Sequence, residues 1–222
     1  MVRIVIIITG IIVTLNLEAQ NILNHNRTNK IIHLRYGLEP TAVIAGGYTH
    51  IFSADKINRQ IALFGEINNP TRKIIGISNY EFKTGCIIPA VKVKNWAIMY
   101  ALNLSTGRVK TQILKSHKFA VVNKLQLGLF QGKWYFSLTG EYEKNIANRI
   151  THSEYYLETI YPDVKNGRYK GADGYIQLGI ETGFTVKGKI DVNFDFKSPF
   201  SEKFNSYNGS PGHINLTIGY RI

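Results

Sequence analysis

The chain has 222 residues, 44% of them hydrophobic and 12% aromatic, with 13 tyrosines, and a mean hydropathy of -0.10. That is far too polar for a helical membrane protein, and the length suits a single all-β domain. The lone cysteine, Cys86, excludes an internal disulfide and a cysteine-based zinc cluster. The net charge of +12 calls for anionic surroundings. Lys and Arg are nevertheless spread through most segments, with no RNP-like stretch, no paired Cys/His ligands and no basic helix, so nucleic acid is not the expected partner. An outer leaflet of phosphorylated glycolipid attracts the same charge by the same Coulombic means.

In chain order, Met1-Val2-Arg3 and the apolar run Ile4 to Leu17 form a secretory signal. The run is broken by Thr9, Gly10, Thr14 and Asn16 and is too short to span a bilayer as a helix. Cleavage is expected after Ala19 or Gln20. This gives a signal peptide over 1–20, a periplasmic tail over 21–30 and a single barrel domain over 31–222.

From Ile31 the hydrophobic period becomes two. Ile32, Leu34 and Tyr36 alternate with His33 and Arg35. Gly37-Leu38-Glu39-Pro40 reads as a turn, and Ala42, Ile44, Gly46, Tyr48 and Phe52 then share one parity. Further alternating segments carry Ile61, Leu63 and Ile67; Tyr80, Phe82 and Ile88; Trp96, Ile98, Tyr100, Leu102 and Leu104; and Phe119, Val121, Leu125, Leu127 and Leu129. They continue with Trp134, Phe136, Leu138 and Tyr142; Ile176, Leu178, Ile180, Phe184 and Val186; Ile190, Val192, Phe194 and Phe196; and finally Ile214, Leu216, Ile218, Tyr220 and Ile222. Connections near Ser53–Asn58, Pro89–Lys94, Gln131–Lys133 and Lys187–Lys189 read as short turns. Those over Asn69–Asn79, Ser105–Lys118, Lys144–Gly174 and Ser198–Gly212 read as long loops.

Short turns alternating with long loops, and strands apolar on one face, predict an all-β, antiparallel, up-and-down transmembrane β-barrel of about 10 strands, with 8 as the alternative. Placing both termini in the periplasm requires an even count, which favours a hairpin at Pro40. Phe52, Trp96, Trp134 and Tyr220 then form an aromatic girdle at the periplasmic rim, and Tyr80, Phe119 and Tyr142 one at the outer rim. The last strand is expected to close against Ile31–Tyr36. A soluble lipocalin-like ligand-binding barrel would alternate in the same way with its polar face outward.

The signal, the alternating strands and the terminal strand Ile214–Ile222 resemble the small outer-membrane β-barrel proteins of Gram-negative envelopes, over nearly all of the mature chain. The resemblance implies a location in the outer membrane, and a monomeric barrel is expected. The chain ends in Ile222, with Tyr220 two residues before it, where such barrels commonly end in Phe, Tyr or Trp. The stretch from His152-Ser153-Glu154-Tyr155-Tyr156 through Tyr161-Pro162-Asp163 to Gly167-Arg168-Tyr169 is similar to a loop in uncharacterised barrels of this kind and implies no activity.

On this parity the lumen receives a charged network of Arg35, Glu66, Glu81, Lys83, Lys124, Glu141, Glu181, Asp191, Asp195 and Arg221, joined by His33, Glu39, Lys197 and His213. In a narrow barrel these groups pair and fill the interior. Asp191, Asn193 and Asp195 lack the glycine and closing glutamate of a calcium loop, so pairing is expected there and no metal. The expected role is structural, binding or narrow-pore, without cofactor. The rival is a membrane-embedded hydrolase using His213 or His152, with Ser153 as the candidate nucleophile. Tyr155, Tyr156, Tyr161, Arg168 and Tyr169 in the long loop suit binding to a glycan, an envelope protein or the phosphates of outer-membrane lipids, or folding as a lid.

Overall fold

A computed structural model describes residues 30–39, 41–54, 59–70, 79–159, 165–170, 174–201 and 212–222. The strands are β1 (Lys30–Glu39), β2 (Thr41–Ala54), β3 (Arg59–Pro70), β4 (Tyr80–Val93), β5 (Trp96–Lys110), β6 (Leu114–Gln131), β7 (Trp134–His152), β8 (Gly167–Lys170), β9 (Tyr175–Val186), β10 (Ile190–Ser201) and β11 (His213–Arg221). A short helix α1 (Glu154–Thr159) lies between β7 and β8.

All strands but β8 form one closed antiparallel barrel of ten strands. Each barrel strand pairs with its chain neighbour, apart from β7, which skips β8 to pair with β9. The barrel shuts where β11 meets β1, from Ile31 opposite Arg221 to Leu38 opposite Ile214. Ile222 N donates to Lys30 O at 3.0 Å to finish the seam. The hairpin expected at Pro40 is present as β1 paired with β2 from Lys30–His50 to Glu39–Thr41.

Alternation decides which side chains enter the barrel, because successive residues on a strand point to opposite faces. The outward face is apolar and open: Leu34 is 59% exposed, Ile67 58%, Trp96 56% and Leu138 56%. The inward face is polar and closed, with Asn68, Glu143 and Arg221 each 2% exposed. This inverts a soluble barrel, in which the burial of apolar surface drives folding and the outer face is the polar one. Outward polar groups pair locally. Tyr100 Oη donates to Asn123 Oδ1 at 2.6 Å, which explains how Asn123 sits in the Phe119–Leu129 stripe. At the end near the termini the interior turns apolar, with Ala97, Met99, Phe130 and Tyr135 packed beside Ile87.

The structure corrects several expected connections. The short turn expected near Pro89–Lys94 is confined to Lys94 and Asn95: β4 runs through Pro89 to Val93 with a bulge between Pro89 and Val91, which lets proline sit in a strand without a ladder N–H. Ser105–Lys118 is not a long loop. There β5 and β6 stay paired out to Lys110–Lys115, and Thr111 closes the hairpin, its N donating to Leu114 O at 2.8 Å. Lys144–Gly174 contains the far half of β7, α1 and β8, and β10 continues to Ser201. Loop length therefore does not alternate strictly between the two ends. Lys30, placed in the tail by sequence, is the first residue of β1. The signal peptide over 1–20, residues 21–29 of the tail and Tyr161 lie outside the described residues.

Lys187 and Gly188, in the β9–β10 turn, have φ of 50° and 68°. Left-handed backbone costs an L-residue about 1 kcal/mol that glycine avoids, so Gly188→Ala is expected to lower stability by about that amount in a urea titration of detergent-folded protein.

Candidate functional site

Register places the charged side chains in the lumen at matching heights, so they meet across strands. The largest network is built around Arg35 on β1. Its Nη2 donates to Glu66 Oε1 at 3.0 Å and to Asn68 Oδ1 at 2.9 Å, while Nη1 donates to Asn215 Oδ1 at 3.0 Å and pairs with Glu39. Five donors in a planar fork suit guanidinium to such a hub. His33 Nε2 lies 3.1 Å from the second oxygen of Glu66.

The network continues both ways. Asn68 Nδ2 donates to Glu81 Oε2 at 3.1 Å, Glu81 pairs with Lys83 at 3.3 Å, and Ser105 Oγ donates to Glu81. In the other direction Asn215 Nδ2 reaches Asp195 at 3.4 Å, and Lys197 joins Asp195 at 3.3 Å to Glu141 at 3.0 Å. A single connected set thus crosses the lumen from β5 to β7 by way of β1 and β11. A Cβ at Gly37 would collide with the Asn215 amide, so a side chain there would push Asn215 away from Arg35.

Three smaller groups lie above and below. Lys124 pairs with Glu181 at 2.7 Å, and Tyr135 Oη donates to Glu181 at 2.7 Å and Asn193 at 3.1 Å. Toward the termini, Arg221 donates from Nε and Nη2 to the two oxygens of Asp191, each at 2.7 Å, and Thr185 also donates to Asp191. Toward the far mouth, Lys118 pairs with Glu143, Tyr175 donates to Glu143, and the Lys118 ammonium sits 5.9 Å over the Tyr175 ring.

Two cavities of about 300 Å³ and 320 Å³ occupy the lumen. The first, toward the termini, is lined by Thr49, Met99, Gln126, Tyr135, Asp191 and Asn193. The second, toward the far mouth, is lined by Arg35, Glu39, Lys83, Glu141, Lys197 and His213. Both are bounded by Phe64, Glu66, Ile87, Lys124 and Asp195, which form a waist between them.

All ten charged residues expected in the lumen point inward and meet partners there. Asn68, Ser105, Asn215, Tyr135 and Tyr175 were not picked out by sequence, although all but Ser105 share parity with a charged residue on their strand. The aromatic residues fall into two outward bands. Phe52, Trp96, Trp134 and Tyr220 lie at the end holding the termini, and Tyr80 and Phe119 at the other, all between 39% and 56% exposed; Tyr142, half-buried, joins the second band.

The hydrolase candidates are not brought together. His213 lies in the lumen, where Gln177 Nε2 donates to its Nδ1 at 3.1 Å. His152, at the end of β7, shares Asn166 Oδ1 through its backbone N at 2.6 Å and its Nδ1 at 3.1 Å, and stacks on Tyr156 with centroids 5.2 Å apart. Ser153 caps α1, its Oγ accepting from Tyr156 N at 3.3 Å. Among the described residues no serine, histidine and carboxylate form a hydrogen-bonded relay. Of the loop tyrosines, Tyr155 is exposed at 65%, and Tyr169 donates to Lys165 O beside exposed Arg168.

No family model and no curated protein matches the chain. Among solved structures it is similar to the KdgM porin, at 9% identity and a TM-score of 0.47 over 86% of this chain and 99% of that one. It is also similar to the outer membrane protease OmpT from Escherichia coli, at 10% identity and a TM-score of 0.37 over 88% of this chain and 94% of that one. Neither score is high enough for the residues of one protein to be read onto the other.

Proposed function

We propose that this chain is an outer-membrane β-barrel with a narrow polar lumen, closed at its waist by side chains. The membrane placement is supported by the inverted faces: apolar residues outward at mid-strand, aromatic bands at both ends, and charges inside. The short turns and both termini then face the periplasm, and β8 and α1 face outward from the cell.

The observation that carries the pore reading is the pair of cavities separated only by the waist. Their walls are wettable: Asp195 Oδ1 and Asn103 Oδ1 have no protein hydrogen-bond partner. Phe64 is the largest apolar side chain common to both cavities, so Phe64→Ala should join them while leaving every ion pair intact. In planar bilayers the native barrel is expected to be silent or to flicker, and Phe64→Ala to carry a steady ohmic current. A folded Phe64→Ala barrel without conductance would leave only a structural or binding role. A large, permanent conductance from the native protein would contradict the closed waist.

A further inference from the structure

The far ends of β5 to β8 carry a feature that the lumen does not use. Register sets Arg108 of β5 opposite His117 of β6, His117 opposite Arg149 of β7, and Arg149 opposite Arg168 of β8. One basic residue per strand thus forms a row across four strands, and Tyr80 of β4 extends it, opposite Arg108. Along the same face, one step further from the barrel centre, Lys110 pairs with Lys115.

Cross-strand neighbours have Cβ atoms only about 5 Å apart, and like charges so placed destabilise a sheet. Among the described residues nothing relieves this row. Among the described residues no ion pair joins Arg108, Arg149 or Arg168 to a carboxylate, and Arg108 Nε is buried without a hydrogen-bond partner.

The row's position selects the occupant. Parity puts it on the outward face, and one step below it, about 7 Å along the strands, lie Thr106 and Phe119, then Leu104 and Val121 of the apolar surface. The cations are therefore continuous with the lipid-facing surface and stand immediately above the outer aromatic band. That height is where headgroup phosphates of the outer leaflet lie, and a fork of guanidinium donors matches phosphate oxygens.

We propose that Arg108, Lys115, His117, Arg149 and Arg168 form a docking face for the phosphate groups of outer-leaflet glycolipid. It rests on the membrane placement proposed above. Bound phosphate offsets the like-charge repulsion and anchors the β5–β8 extension upright on the leaflet.

The test compares full-length mature protein in vesicles of neutral phospholipid doped with bisphosphorylated lipid A or with its dephosphorylated form. Native protein is expected to enrich the phosphorylated lipid in its annulus and to gain thermal stability from it. Arg108→Gln/Arg149→Gln/Arg168→Gln is expected to fold at least as well in neutral vesicles and to lose phosphate-dependent enrichment by on the order of a hundredfold, from about 1 kcal/mol per removed charge. Removing three charges at the opposite rim (Lys94→Gln/Lys187→Gln/Lys189→Gln) should leave it unchanged. Equal enrichment by native and triple-Gln protein, or indifference of the native protein to lipid phosphate, overturns the site. Full displacement of phosphorylated lipid by a soluble acidic polysaccharide would reassign the face to glycan and overturn it also. A chain that enters neither vesicle fails at the membrane placement itself, so the two failures are distinguishable.

Discussion

Leu138→Arg should cost about 2–4 kcal/mol of unfolding free energy in a bilayer. Leu138 is 56% exposed at mid-barrel and sits in a row with Leu127 and Ile180 on the outward face. In a protein surrounded by water an arginine there would be as well solvated as on any surface, and the change would fall within about 0.5 kcal/mol of zero. In lipid the guanidinium must reach an interface or draw water in. Arginine at Thr106, which lies on the same outward face but level with Phe119 of the outer aromatic band, should cost little. Urea titrations of vesicle-inserted protein, followed by tryptophan fluorescence from Trp96 and Trp134, separate the cases. A flat profile along the strand would remove the lipid-facing assignment.

Arg221→Ala is expected to be the most damaging single change in the lumen, at about 3–5 kcal/mol. The Arg221 side chain is 1% exposed, and its removal leaves Asp191 buried at the closing seam without its bidentate partner. The loss reflects a stranded carboxylate more than the worth of the ion pair, so Arg221→Met combined with Asp191→Asn should recover most of it. Equal destabilisation by the single and double variants, in the same urea titration, would show that packing at the terminal strand matters and the charge does not. Because β11 closes on β1, Arg221→Ala should also slow barrel assembly, visible as a slower gain of heat-modifiable mobility on gels.

The barrel itself was legible in the sequence because successive residues face opposite sides of the wall, so apolar and polar residues alternate along each strand. Ile190, Val192, Phe194 and Phe196 against Asp191, Asn193 and Asp195 leave little choice of period or face, and the closure of Ile31–Tyr36 on the last strand followed from the even count. Legibility ended where the strands leave the apolar layer. At Arg108, Lys110, Lys115 and His117 the ladder continues, but the outward positions turn from apolar to basic, so the hydrophobic period vanishes while the β structure does not. The same happens past Tyr142 on β7, where a bulge opposite Phe119–Ala120 also shifts the parity.

Parity alone sorts the charges into the lumen; it does not pair them. That Arg35 meets Glu66 and Asn215, and Lys197 meets Glu141, depends on register between strands far apart in the chain. The amides and hydroxyls that bridge the charges look like ordinary polar residues until that register is known. The inward apolar group of Met99, Phe130 and Tyr135 was hidden for the same reason, since a polar lumen was expected throughout.

The most direct test of the membrane barrel is the state of the chain lacking residues 1–20, refolded with and without amphiphile. A lipid-facing wall predicts folded, heat-modifiable monomer in detergent micelles or vesicles, and aggregation on dilution into plain buffer. A monodisperse, fully folded β protein in buffer alone would contradict it.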